Sequence, residues 1–230
     1  MSLRLDAQTT FRLLLGLIFL LTYANCLEHL GRVSLNIDDI HFFNLNAEGN
    51  IPTLYSTLLY LLATALLSII AIMHKKADER FLGWLGLALI CAALALDETA
   101  QVHERLTHPM RRLFNTSGYL YFAWVIPYGI AGSILLILYY RFITALPWTH
   151  LRLFILAAVV FLSGAVGLEL ISGRHVELYG KYSFGNFAYS TLEEFLEMLG
   201  IAIFIYSLLR YLSERDAIVS ISFRKTENLL

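Results

Sequence analysis

The chain has 230 residues, 58% hydrophobic and only 15% charged, with a net charge of −1 and a mean hydropathy of +0.64. A soluble domain carries about a quarter charged residues, so this composition reads as an integral membrane protein. The near-neutral balance excludes a strongly basic nucleic-acid binder, and two cysteines inside apolar runs, Cys26 and Cys91, suggest neither a zinc ribbon nor a disulfide framework.

Six apolar segments are each long enough to cross the hydrocarbon core, over about 10–29, 51–73, 81–103, 119–140, 151–172 and 190–212. The expected fold is therefore all-α, a polytopic bundle of about six transmembrane helices. In the first segment, Arg4, Arg12 and the run "LLLGLIFLLTYANC" have the outline of a signal peptide. Asn25 is bulky for a cleavage box before Cys26, so the segment reads as a retained first helix. At its outer end Thr22, Asn25 and His29 share a face, with Glu28 on the flank.

The second segment is introduced by "NAEGNIPTLYST". Gly49 and Asn50 predict a turn, and Pro52 suits the first turn of a helix. Thr53, Ser56 and Tyr60 then line one face, with Glu48 just above it.

The third segment ends "LALDETAQVHERL". At about 100° per residue, Asp97, Gln101 and Glu104 share a narrow face, flanked by Glu98 and His103. Pro109 predicts a helix end nearby. The fourth segment, "YLYFAWVIPYG", has no acid; Tyr119, Tyr121, Trp124 and Tyr128 read as an aromatic belt and Pro127 as a kink. It is expected to wall a site or face lipid.

The fifth segment ends "SGAVGLELISGRH", which sets Glu169 beside Ala165, Ser172 and Gly173, with His175 within reach. A plain alternative for Glu169 is a salt bridge to Arg174 or Arg105. The sixth begins "YSTLEEFLEMLG". A cap at Ser190 or Thr191 would explain Glu193 and Glu194 as helix N-terminal acids. It leaves Glu197 unexplained. Glu193, Glu197 and Gly200 share one face, where Gly200 would let another helix approach closely.

The short connections "HKKADER" and "RFITALPWTH" predict tight antiparallel hairpins, and no internal repeat divides the chain. Residues 1–212 are read as one transmembrane domain and 213–230 as a short cytoplasmic tail. With an even helix count both termini share a side, which then holds 11 of the 17 Lys and Arg residues. That split predicts cytoplasmic termini and a multi-pass protein of the cell's inner membrane. The same alternation sends 12 of the 18 acids and five of the seven histidines to the outer side.

Crowded carboxylates repel unless they are protonated or share a cation. Arg105, Arg111, Arg112 and Arg174 are candidate counter-charges; a bound divalent metal is the other solution. The candidate metal ligands are Asp97, Glu98, His103, Glu104, Glu169, Glu193, Glu194 and Glu197. Thr22, Asn25, Glu28, His29, Glu48, Thr53, Ser56, Gln101 and His175 are candidates for lining the same pocket. Oxygen-rich ligation with one or two imidazoles suits Fe, Mn, Mg or Ca somewhat better than Zn.

The stretches "NLNAEGNIPTLYST", "LDETAQVHERL" and "STLEEFLEMLG" resemble a family of bacterial six-helix membrane proteins of unknown function. Their motifs are EGN-x-P-T, DE-x4-HE and EE-x2-E, and the similar segments span about 40–200. The resemblance implies topology and little else. In general plan the chain also resembles seven-helix zinc hydrolases of the alkaline ceramidase and adiponectin-receptor type. It lacks their H-x-x-x-H pair and one helix. It has no E-x-x-H pair of the ferritin-like di-iron kind.

Three functional expectations follow. The first is a metal-binding polar pocket at the outer leaflet, and if catalytic, a metal-dependent membrane hydrolase acting on a lipid-like substrate. The second is a cation or proton transporter, because carboxylates in membrane helices often mark ion pathways. The third is a structural or partner-docking subunit fixed by a buried ionic network. Its expected partners are the bilayer and a lipid-like substrate or cation; no nucleic acid is implied, and oligomeric state is not legible.

Overall fold

The computed structural model describes residues 6–35 and 41–215. Asp38 and Asp39, and the charged residues Arg4, Asp216, Arg224, Lys225 and Glu227, lie outside the described residues.

The described residues form an all-α bundle without strands. Helix α1 spans Ala7–Leu35, α2 Ile51–Lys76, α3 Leu82–Ala100, α4 Val102–Phe114 and α5 Val125–Thr144. Helix α6, Trp148–Leu162, continues through a π-helical turn at Ser163–Leu168 into α7, Glu169–Tyr179. Helix α8 spans Phe184–Glu214. Six helices are long and apolar enough to cross a membrane: α1, α2, α3, α5, the continuous Trp148–Tyr179 helix and α8. Large apolar side chains such as Leu13, Leu20, Leu89, Ile137 and Leu138 are exposed. Such a surface would be a liability in water and is ordinary against lipid.

The core is the α2–α8 seam. Leu59, Ala63, Leu67 and Ile70 of α2 meet Met198, Ala202, Ile205 and Leu208 of α8, all nearly fully buried. Helices α1 and α6 flank α8, and α3 flanks α2. Small residues set the closest approaches. A side chain at Gly200 would strike the backbone of Phe161, and one at Gly164 would strike the carbonyl of Glu193. The second of these lies in the π-helical turn, which carries an extra residue and so turns α7 relative to α6.

The start of α2 follows its local chemistry. Asn50 Oδ1 accepts the Thr53 N–H at 3.1 Å, while Asn50 Nδ2 donates to the carbonyls of Asn44 and Ala47, both at 2.7 Å. One side chain thus caps the helix and folds the preceding loop.

Three elements differ from expectation. The third apolar segment is broken at Gln101, which adopts a left-handed conformation (φ 56°), so α4 is a separate, strongly amphipathic helix. Pro109 lies inside α4 rather than at its end. Helix α8 begins at Phe184, capped by Ser183 through the Asn186 N–H at 3.3 Å, not by Ser190 or Thr191. Ser190 is buried within the helix, bonded to the Asn186 carbonyl, so Glu193 and Glu194 are not helix N-terminal acids. Finally, α5 does not fold back tightly on α6 despite the short Ala145–Pro147 connection. Its only buried residue is Val125. It is propped against α3 at its foot, where the Phe142 ring meets Trp84 edge-on at 5.1 Å and Tyr139 lies over Gly86.

Candidate functional site

The splay of α5 opens a cavity of about 850 Å³ between α3, α5, the α6–α7 helix and α8. Eight acids line it: Glu48, Asp97, Glu98, Glu104, Glu169, Glu193, Glu194 and Glu197. They arrive from the loop before α2, the end of α3, the start of α4, the start of α7 and the third and fourth turns of α8. All these positions lie in the half of the bundle away from the start of α1 and the finish of α8, with Glu197 deepest, near the middle of its helix. His103 lines the cavity as well.

The acids are not equally satisfied. Asp97 is held on all sides: its Oδ1 accepts the His103 N–H at 2.9 Å and the Tyr128 hydroxyl at 2.9 Å, and its Oδ2 lies 3.1 Å from His103 Nδ1. It therefore caps α4, ties α5 to α3 and pairs with an imidazole. That is why the left-handed break at Gln101 is useful: it turns His103 back onto Asp97. Burial opposes the His103 charge, but the Asp97 hydrogen bond and the charges of Asp97, Glu48 and Glu197 outweigh it and carry the imidazole up to about 9. Glu169 accepts the Trp124 indole N–H at 2.5 Å. Glu193 lines the cavity beside it.

Glu98, Glu194 and Glu197 form neither a hydrogen bond nor an ion pair among the described residues, although they line the same cavity. Glu48 Oε2 is buried without a partner. Burial raises Glu48 to about 7, the neighbouring His103 charge pulling it down and those of Glu104 and Asp97 pushing it up.

The expected counter-charges are mostly spent elsewhere. Arg174 bonds Glu177 at 3.0 Å rather than Glu169, and Glu177 also accepts the Gly118 N–H. Arg111 lines the cavity but stacks over the Tyr121 ring, 4.0 Å from its centroid. Lys181 joins it there, whereas Arg105 and Arg112 do not line the cavity.

Of the nine residues expected to line the pocket beside the ligands, only Glu48 does so. The others serve the fold. Thr22 bonds the Ile18 carbonyl within its own helix. Asn25 is buried, donating to Thr191 Oγ1 at 2.8 Å and accepting the Leu45 N–H at 3.1 Å. Glu28 accepts the Phe43 N–H at 2.7 Å, and His29 stacks on Phe187 with centroids 3.7 Å apart. Thr53 pairs with the Asn50 cap, and Ser56 sits behind Tyr60 in a small separate void. Gln101 is the helix break, and His175 bonds Ser183 Oγ at 3.0 Å. The physical reason is common to most: polar groups on apolar helices are costly unless paired, and these found partners in the 41–50 loop or on α8.

Sequence reasoning assigned the fourth segment no ligand-side role, yet Trp124 and Tyr128 hold Glu169 and Asp97 in place. An indole N–H and a phenol beside a set of unpaired acids are the signal that points to them.

Among the described residues, no three His, Cys, Asp or Glu side chains converge on one point as a metal's ligand set would. The acids are gathered but not drawn together.

Residues 12–212 match the model of a family described as a domain of unknown function, DUF8692. No curated protein and no solved structure matches the chain.

Proposed function

We propose, for a chain that belongs to the DUF8692 family, that the carboxylate end of the cavity binds a divalent metal cation within the membrane. One observation carries this reading: Glu98, Glu194 and Glu197 line one cavity from two helices and have no hydrogen-bond or ion-pair partner among the described residues. Half-buried carboxylates crowded into one cavity without partners are expensive, and a shared cation is the compensation that fits an all-oxygen set. The ligands are drawn from Glu98, Glu194 and Glu197, with Glu169, Glu193 and Glu104 adjacent. Asp97 and His103, engaged with each other, stand beside them. Binding would pull the carboxylates inward from their present spacing. Fe, Mn, Mg or Ca suit such ligands, and Zn also accepts Asp, Glu and His.

A cation held here would polarise a carbonyl or activate water. A neighbouring carboxylate would take the proton as general base. Hydrolysis of an ester or amide in a lipid-like substrate is the reaction class that such a site serves. On the Lys and Arg split, the site faces the outer leaflet of the inner membrane, with both termini cytoplasmic.

Protein purified without chelator is expected to carry about one equivalent of metal by elemental analysis. A Glu98→Ala plus Glu194→Ala variant is expected to carry none. Metal-free wild-type protein that also binds no Mg²⁺, Ca²⁺, Mn²⁺, Fe²⁺ or Zn²⁺ by calorimetry overturns the reading.

A further inference from the structure

The carboxylates occupy only one end of the cavity. Below them it continues as an arm between α3, α5 and α6, walled by Leu87, Ile90, Leu135, Ile143, Phe161 and Leu162. We propose that this arm holds the hydrocarbon chain of a membrane amphiphile, which enters sideways past α5 and sets its polar head at the carboxylate end. The placement of the head rests on the cation-site reading above; the placement of the chain does not.

The shape of the arm selects its occupant. Lining residues on α5 run from Val125 to Ile143, which is about 27 Å at 1.5 Å per residue. That is most of the ~30 Å hydrocarbon core. A volume of about 850 Å³ for water-sized centres, spread over about 27 Å, is a channel about 9 Å across between its walls. A helix with its side chains needs about 10–12 Å, so a partner helix does not fit. An extended alkyl chain fits both the length and the width.

The construction of α5 points the same way. Tyr128, Gly129, Gly132, Ser133 and Leu136 form the face toward the cavity. A Cβ added at Gly129 or Gly132 would meet nothing within 4 Å. Gly164 and Gly200, by contrast, admit a neighbouring helix. On α5 they face open space and widen the arm instead. The helix is held only at its two ends, by Tyr128 on Asp97 and by Tyr139 and Phe142 on α3. Its middle is left free to admit a chain from the bilayer, whose tails are as apolar as the lining.

The test uses the full chain in nanodiscs with two probes, stearylamine and stearic acid, each spin-labelled near the chain end. Wild-type protein is expected to immobilise one or both probes, displaceable by excess unlabelled amphiphile. Gly132→Trp fills the arm and is expected to cut the immobilised fraction at least fivefold. Ile137→Trp, on the exposed side of α5, is expected to leave it unchanged. Absence of a displaceable immobilised component in wild type overturns the proposal, as does equal loss in both variants. Should Gly132→Trp not fold, the same judgement is made on Ser133→Phe and on wild type alone. Calorimetric cation titration of the same samples separates the two readings. Cation binding without chain immobilisation sinks this inference and leaves the cation site standing; chain immobilisation without cation binding does the reverse.

Discussion

The two ends of this bundle treat charge in opposite ways. Where α1 starts and α8 finishes, Glu79 and Glu214 each have two basic partners. His74 lies 2.8 Å from the Tyr211 hydroxyl and 2.7 Å from Glu79, which Arg215 also bonds at 2.7 Å. His150 and Arg210 both bond Glu214 at 2.8 Å. At the other end, eight acids surround a cavity, and Glu98, Glu194, Glu197 and the Glu48 Oε2 have no partner among the described residues. The first end is a largely exposed ionic network anchored on the buried His74 and His150, tying α2, α6 and α8 together. The second has the crowded, unpaired character of a site whose stability is completed by something it binds.

Substitutions that exchange the two behaviours test this contrast. The largest effect is expected at the paired end. His74→Ala strands the buried Tyr211 hydroxyl and should cost about 1–3 kcal/mol of stability, the usual penalty for an abandoned polar partner, read as a lower melting temperature. Tyr128→Phe removes one hydrogen bond to Asp97 while leaving His103 in place. A loss of about 1–2 kcal/mol is expected, and no loss would mean that α5 is not tied there. At the unpaired end the sign reverses. Glu194→Gln plus Glu197→Gln should stabilise the cation-free protein by about 1 kcal/mol, a rise of about 2–4 °C. Destabilisation instead would show that these acids are structural after all.

The smallest effect is a change of slope with pH. Glu48 is raised to about 7 from its ordinary 4.5, so its contribution is complete below about 4.5 and is lost as pH rises through about 7. His103 is raised to about 9 from 6.5, so its contribution is complete below 6.5 and is lost as pH rises through about 9. Melting temperature should therefore fall from pH 5 to pH 9. Glu48→Gln should flatten the lower part of that fall and His103→Gln the upper part. An unchanged profile in either variant removes that residue from the account.

Much of the architecture was legible because the bilayer imposes it. Apolar runs of the required length mark the spans, and strict alternation sends the ends of five of them to one side. That alone gathered Glu98, Glu169, Glu194 and Glu197. What was not legible depends on contacts between segments. Nothing local announces a left-handed Gln101, because its justification is Asp97 capping a helix that starts after it. The early start of α8 was hidden because "FGNFAYS" is only weakly apolar, so the hydropathy signal begins late. Asn25 and Glu28 looked like pocket residues because a polar stripe on an apolar helix serves a site or a loop equally well. The stand-off of α5 had a trace in Gly129, Gly132 and Ser133, but small residues read as a packing face until the neighbouring helix is seen to be missing.

The most direct measurement is thermal unfolding of the full chain in nanodiscs against divalent cation concentration. If the unpaired end awaits a cation, one of Mg²⁺, Ca²⁺, Mn²⁺, Fe²⁺ or Zn²⁺ should stabilise wild type by about 2.7 kcal/mol at a hundredfold excess over its Kd. The stabilisation should vanish in the Glu98→Gln, Glu194→Gln, Glu197→Gln triple variant and persist in His74→Ala. No shift with any of these cations, or an equal shift in the triple variant, contradicts the account.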